Sequence, residues 1–292
     1  AQDELEFAES EKKSVGRQLD QAKQRFEVGL IAVTDVYEAQ AAYDQSRANV
    51  IQGQNAVSTA WEALYEIISE NVQSLAQLAE TIPLDPPEPA DIDVWRDLSQ
   101  QNNLSIKAAT YDREIARNEI EIQRSGQYPD VEIVGSYDYA RNERLNNLDT
   151  NTGRIGVQLN LPLYTGGGVN SRTRQAGFNL EAAQDRLDGE RRAVVRQVRA
   201  AYRGVMDTIS GLEALRAGVV SAEGSLQATS AGFEVGTRTI IDVLGSERDL
   251  FLARSRYATT RYTYILQGLL LKQAEGSLSV DDLKQVNTLL QE

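Results

Sequence analysis

Residues 25–36 read RFEVGLIAVTDV, and residues 232–243 read GFEVGTRTIIDV. Six of the twelve positions are identical at one constant offset with no gap, a degree of matching that is unlikely by chance. In each copy a glycine stands where a helix can end, and an aspartate stands near the start of the next helical pattern. The repeat therefore predicts a duplicated hairpin, in which two helices are joined by the same short turn.

The sequence on both sides of these turns favours long helices. Helical periodicity without proline extends over residues 1–25, 36–70 and 169–233. We expect the chain to begin inside a helix, because no capping residue precedes the first pattern, and we expect Thr34 or Asp35 to cap the second helix. The third helix, of about 65 residues, would be about 100 Å long. A compact domain cannot cover such a helix, so a coiled-coil-like or tubular assembly is indicated.

A connector and two shorter helices lie between the first hairpin and the centre of the chain. Residues 82–89 hold four of the six prolines, which excludes a helix or a central strand there. Helical patterns follow at residues 90–100 and 104–125. Residues 166–168 are three glycines whose spacing matches no phosphate-binding loop, and we interpret them as a flexible link.

The periodicity changes from 3.6 to 2 between residues 131 and 163, which predicts a β-hairpin. Residues 141–153 are rich in Asn and Asp, and we expect them to form its loop. Two strands of about ten residues have the length of a tilted membrane-spanning strand, but a hairpin on a soluble core shows the same alternation. The residues alone favour the soluble hairpin. The alternating apolar positions are Val131, Ile133, Tyr137 and Tyr139, then Ile155, Val157, Leu159, Leu161 and Leu163.

Composition removes several classes of function. The 292 residues include no Cys and no His, so disulfides, thiolate chemistry, cysteine-ligated zinc and the commonest general base are all absent. The formal net charge of −13 disfavours a nucleic-acid surface, which requires clustered Lys and Arg. We therefore expect a protein that is not an enzyme and that uses no cofactor and no metal.

Three of these motifs resemble those of the TolC family. The two turns are similar to that family's two periplasmic-tip motifs, and LPLYTGG at residues 161–167 is similar to its strand-to-helix exit motif. The resemblance covers essentially the whole chain in the same order of elements. It implies a mainly α fold with a β-hairpin: long antiparallel helices of a trimeric α-helical tunnel, plus strands contributing to an outer-membrane β-barrel. It also implies that an N-terminal part of the family pattern is missing here.

The resemblance implies five segments. Residues 1–81 would contain the end of a first long helix, its tip turn and a second helix, and residues 82–126 an equatorial connector with helices. Residues 127–165 would form the β-barrel hairpin. Residues 166–276 would contain the second long helix with its turn and return helix, and residues 277–292 a C-terminal equatorial helix.

The family function would be that of a passive exit duct in drug efflux or type I protein secretion, gated at its periplasmic end. Carried onto this sequence, the resemblance implies that Arg238 pairs with Asp35, supported by Thr34, across neighbouring helix pairs. Phe233 stands where the family can carry a tyrosine, and it cannot donate a hydrogen bond. Asp242 would form a negative ring at the constriction.

The resemblance implies a second aspartate of that ring where this chain has Gly245. Glu247 and Asp249 are candidates to compensate, although neither lies in the matching register. Expected partners are two further copies of the chain, outer-membrane lipid, and a periplasmic adaptor that connects to an inner-membrane pump. The alternative is a soluble periplasmic coiled-coil scaffold or adaptor. The expected adaptor-docking residues are Val28, Gly29, Leu30, Val235, Gly236 and Thr237, and the expected membrane-facing strand residues are Val131, Ile133, Ile155, Val157, Leu159 and Leu161.

Overall fold

The computed structural model describes residues 1–70, 72, 74–79, 81–142 and 148–291. Long helices dominate these ranges, and the β-structure consists of one long hairpin and one two-residue pair. The helices are α1 (Gln2–Glu27), α2 (Val33–Ile68), α3 (Ile92–Asn102), α4 (Leu104–Ser125), α5 (Gly168–Glu234), α6 (Ile240–Glu275) and α7 (Val280–Asn287). The strands are β1 (Gln77–Leu78), β2 (Asp130–Asn142), β3 (Leu148–Asn160) and β4 (Leu290–Gln291).

Both copies of the repeat form the same helix-ending turn. The amide of Leu30 donates to Arg25 O at 2.8 Å, and the amide of Thr237 donates to Gly232 O at 2.8 Å. These six-to-one hydrogen bonds, with the glycine before each donor at φ 75° and 80°, define a Schellman motif at both sites. The duplicated hairpin predicted from the sequence is therefore confirmed in the backbone.

The start of α2 differs from the sequence prediction. The helix begins at Val33 with Ala32 in the N-cap position, and no side chain caps it. Thr34 and Asp35 lie inside the first turn, so neither is the cap that we expected. The reason is that Ala32 already has the extended backbone of an N-cap, φ −78° and ψ 155°, although it has no side-chain acceptor.

Two compact units divide the described chain, and each is considered by itself. The first contains residues Ala1–Arg96 and Gln197–Glu292. In it, α1 and α2 pack against each other and against α6. The packing uses small residues as well as large ones, since Ala22 and Ala39 are completely buried beside Leu19. Small side chains allow the helix backbones to approach closely.

The first unit also fixes the short β1–β4 pair against α6. The guanidinium of Arg261, on α6, donates from Nη2 to Leu78 O at 3.1 Å and to Ala79 O at 2.6 Å. Residues 82–89 contain no helix or strand, as their prolines predicted. After the C-terminal end of α6, helix α7 begins with a capping box between Ser279 and Asp282. Lys272, in the last turn of α6, forms an ion pair with Asp282.

The second unit, Asp97–Arg196, contains α4 and the β2–β3 hairpin. Helix α4 has the bounds predicted, because Asn103 caps it by accepting from Ser105 N and Ile106 N. The predicted hairpin is present, but its loop was predicted too long. Pairing continues to Asn142 and Leu148, and the remaining residues 143–147 of the expected loop lie outside the described residues.

Helix α5 carries the apolar stripe predicted from its periodicity. Val194, Val198, Ala201, Val205 and Leu212 are buried at intervals of three, four and seven residues. Among the described helices, none combines the length and the apolar character needed to cross a membrane.

Candidate functional site: the paired helix turns

The two turns expose apolar side chains at their tips. Val28 is 69% exposed, Leu30 72% and Val235 76%. Gly29 and Gly236 have open space where a side chain would begin, because no heavy atom lies within 4 Å of a Cβ placed on either. The residues that we expected to dock an adaptor therefore form two accessible apolar tips in this chain.

The second turn has a capping box that the first turn lacks. Asp242 Oδ2 accepts from the amide and from the hydroxyl of Thr239, both at 2.9 Å, and the Asp242 amide donates back to Thr239 Oγ1 at 3.3 Å. Hydrogen bonds from the Thr239 amide and then its hydroxyl lower the pKa of Asp242, with a smaller contribution from Arg238. Asp242 is thus ionised, as a constriction ring would require, but one of its oxygens serves the helix start.

Arg238 and Asp35 form no ion pair with each other in the part of the chain that the structure describes. Arg238 is exposed, while its stem packs over Gly232, where an added Cβ would lie 2.7 Å from Arg238 Cγ. Asp35 is half-buried in the first turn of α2, and Thr34 beside it is exposed. The pairing of Arg238 with Asp35 across neighbouring helix pairs therefore stays a prediction.

Phe233 lies inside the packing of the second turn and not on its surface. It is 6% exposed and belongs to a cluster with Ile240 and Val243. Arg25, from the last turn of α1, places its guanidinium carbon 4.3 Å from the ring centroid and donates from Nη1 to Phe233 O at 3.3 Å. No sequence pattern predicted a functional role for Arg25. The sequence did show that the two copies of the repeat differ at this position, since the second copy has Gly232 where the first has Arg25.

Glu247, one of the two acidic residues that could compensate for Gly245, is buried in this chain. Its side chain is 3% exposed and accepts a hydrogen bond from Ser14 Oγ at 2.7 Å, so it is enclosed between α6 and α1. Glu11, on α1, lies in the same region, and burial raises its pKa, with repulsion from Glu247 adding to the increase. Asp249 is exposed. Of the two acidic residues considered at sequence level, only Asp249 remains accessible.

The hairpin in the second unit presents one apolar face. Strand pairing places Val131 opposite Leu159 and Ile133 opposite Val157, so these four side chains share that face with Ile155. Ile133 is 81% exposed and Ile155 89%. Leu161, expected to be a strand residue, lies beyond the end of β3 at Asn160, because Pro162 cannot continue the ladder.

The comparisons with known proteins agree with this architecture. Residues 1–70 and 95–277 match the model of a family described as outer membrane efflux protein. The outer membrane protein TolC of Vibrio cholerae is 42% identical, with 98% of this chain and 67% of that protein covered. TolC of Escherichia coli is 35% identical, with 99% and 61% covered. The crystal structure of the outer membrane protein VceC of V. cholerae has a TM-score of 0.74 at 19% identity, with 94% and 65% covered.

These similarities identify the chain as an outer-membrane protein of Gram-negative bacteria with the TolC fold, as the resemblance of its sequence motifs implied. The chain belongs to the outer membrane efflux protein family. It spans 61–67% of the length of the two TolC relatives described above. Among its described residues, His, Cys, Asp and Glu side chains form no group of three that could hold a metal ion.

Proposed function

We propose that this chain is part of an outer-membrane exit duct that conducts its cargo passively and is gated at the paired helix turns. The observation that carries the proposal is the pair of matching Schellman turns with exposed apolar tips, in a chain of the outer membrane efflux protein family. The duct performs no covalent chemistry. Its cargo is a drug-like compound or a secreted protein, selected by the pump with which it assembles.

The exposed tips support docking of a periplasmic adaptor that connects the duct to an inner-membrane pump. Helical hairpins of an adaptor need apolar contacts and close backbone approach, and the tips provide both. Gly236 has φ 80° and no neighbour within 4 Å of its absent side chain, so an adaptor backbone can approach it directly. The apolar face of the hairpin supports contact with outer-membrane lipid, in a barrel completed by further strands.

The gate that we propose is an ion pair between protomers of a homotrimer. Arg238 precedes the N-cap of α6 in the second turn, Asp35 lies in the first turn of α2, and the two form no ion pair inside the described part of one chain. A link between Arg238 of one copy and Asp35 of the next, supported by Thr34, would hold adjacent hairpins in a closed arrangement. Each exposed pair contributes about 1 kcal/mol or less, which is enough to bias two alternative helix packings. Asp242 adds negative charge at the same level and favours cations.

Charge exchange tests this gate in the native protein reconstituted in planar lipid bilayers. Arg238→Glu and Asp35→Arg should each raise ionic conductance several-fold, because each places like charges in contact. The double variant restores opposite charges and should return the conductance close to that of the native channel. Arg17→Gln, which changes an exposed arginine far from the turns, is the control. A native protein that forms no ion-conducting channel contradicts the duct, and a double variant as open as the single variants contradicts the pairing.

The relatives and the family model described above give no support to the alternative of a periplasmic scaffold or adaptor. Those relatives are outer membrane proteins by name, and the match to the V. cholerae protein runs across 98% of this chain.

A further inference from the structure

One arginine bridges the two turns within a single chain. Arg25 belongs to the last turn of α1, and Phe233 belongs to the last turn of α5. The guanidinium carbon lies 4.3 Å from the Phe233 ring centroid, within the range of a cation–π contact. The same guanidinium donates from Nη1 to the Phe233 carbonyl oxygen at 3.3 Å. Both the ring and the backbone of Phe233 are therefore held by the end of α1.

The surroundings of this contact strengthen it. Phe233 is 6% exposed and packed with Ile240 and Val243, and Arg25 is half-buried. A cation–π contact is stronger where water is excluded. The carbonyl at the end of α5 also lies at the negative end of the helix dipole, which favours a cation. Arg25 thus combines three favourable interactions with one residue.

The repeat shows that this bridge occurs on one side only. Phe26, the counterpart of Phe233, is 43% exposed, and Gly232 stands where the first copy has Arg25. Position 232 has no room for a side chain, because the aliphatic part of Arg238 packs directly over the glycine. The two arginines of the turns consequently have different tasks: Arg238 extends outward, and Arg25 contacts the other turn of its own chain.

We infer that Arg25 is a positioning residue of the gate, whose contacts with the ring and carbonyl of Phe233 keep the two turns of one protomer together in the closed state. The inference rests on the proposed function. Phe233 has no hydroxyl to donate, so its ring face and its carbonyl are the groups through which Arg25 contacts the second turn. Because the link is partly buried and involves no carboxylate, salt screens it less than an exposed ion pair.

Single-channel conductance of the native protein and its variants tests this role. Arg25→Gln and Phe233→Leu should each raise the ratio of open to closed channel about tenfold, in keeping with a desolvated cation–π contact. The double variant should be no more open than the more open single variant, because both changes remove one interaction. Phe233→Trp should keep the gate closed, since tryptophan is the best ring partner for a cation. Phe26→Leu and Arg17→Gln should have native conductance.

Salt distinguishes this bridge from the pairing between protomers. Raising the KCl concentration from about 0.1 M to about 1 M shortens the screening length from about 10 Å to about 3 Å. The difference between Arg25→Gln and the native channel should persist, whereas that of Arg238→Glu should shrink. Arg25→Lys, which keeps the charge but loses the planar guanidinium, should be intermediate and provides a milder variant if Arg25→Gln fails to assemble.

Native conductance in Arg25→Gln and Phe233→Leu, with an open Arg238→Glu channel, would leave the duct and its gate standing and would overturn the role of Arg25. Additive effects of the two changes would also overturn it, because they would show that the residues act independently. Absence of any conductance from the native protein would instead contradict the duct, and the inference would fail with it.

Discussion

At the scale of single residues, the two aspartates of the repeat are identical in sequence and different in structure. Asp242 accepts two hydrogen bonds from Thr239, and these lower its pKa. Asp35 has Ala32 at the corresponding position, which offers no side-chain hydroxyl. The second turn is therefore fixed at both ends, by a Schellman motif and by a capping box, whereas the first turn is fixed only at the end of α1.

Exchanging the cap residues tests this difference. Thr239→Ala should destabilise the first turn of α6 by about 1 kcal/mol, because two hydrogen bonds of the capping box are lost. Ala32→Thr should stabilise the first turn of α2 by about the same amount, since the backbone there is already extended and Asp35 stands three residues later. Hydrogen exchange of the amides in residues 240–243 and 33–36 measures both effects. Unchanged exchange in both variants would show that the caps do not control these helix starts.

The sequence identified the residues of the turns but not all of their contacts. Gly29 and Gly236 were identifiable because a helix end in the left-handed conformation favours glycine. Arg25 was not, because a cation–π contact between positions so distant in the chain leaves no local pattern. Glu247 was considered as a pore residue because it is acidic and close to Gly245 in the sequence, and only the packing of α6 on α1 shows that it is buried with Ser14.

At the scale of elements, α7 shows how charge and capping hold a short helix. Asp282 accepts from the amide and hydroxyl of Ser279, both at 2.7 Å, and is paired with Lys272 at the end of α6. The Lys272 ammonium and then the Ser279 hydrogen bonds lower the pKa of Asp282 to about 2. An eight-residue helix is marginal by itself, so this carboxylate is central to its formation.

Acidification should therefore release α7 only at very low pH. A carboxyl group with a lowered folded-state pKa stabilises the fold above its unfolded pKa of about 4, and the contribution is lost as the pH falls toward 2. We expect hydrogen exchange in residues 280–287 to remain slow down to about pH 4 and to accelerate below it. Lys272→Met should move the loss to higher pH by removing the largest cause of the shift. A loss of protection that starts near pH 6 in the native protein would contradict this assignment.

Element boundaries were predictable where a side chain marks them. The bounds of α4 were predicted correctly because Asn103 caps its first turn, whereas α1 continues beyond its predicted end at residue 25 to Glu27, close to Gly29. The start of α2 was missed because Ala32 carries no such mark. The hairpin loop was overestimated because residues 148–153, most of which are polar, were assigned to it, although they pair in β3. Cross-strand pairing can compensate for weak strand propensity, and the pattern of a single strand does not show it.

At the scale of the whole molecule, the family match supports the interpretation of the duplicated turns as parts of an extended helical assembly. Helix length and the repeat predicted an extended helical assembly, and the match of residues 1–70 and 95–277 to the outer membrane efflux protein family supports that class. The hairpin had two interpretations from its residues alone. Its exposed apolar face, with Ile155 89% exposed and Val157 73%, is consistent with the membrane interpretation that the family implies.

The 292 residues contain no cysteine, so a pair of introduced cysteines provides the most direct test of the gate. In the native protein carrying Asp35→Cys and Arg238→Cys, oxidation should produce disulfide-linked oligomers, because the proposed gate brings the two positions together between copies and not within one. Reconstituted in planar bilayers, the oxidised channel should stay at low conductance, and a reductant should increase the conductance several-fold by releasing the closed turns. Crosslinks confined to single chains, or a conductance that reductant does not change in a fully crosslinked sample, would contradict the account.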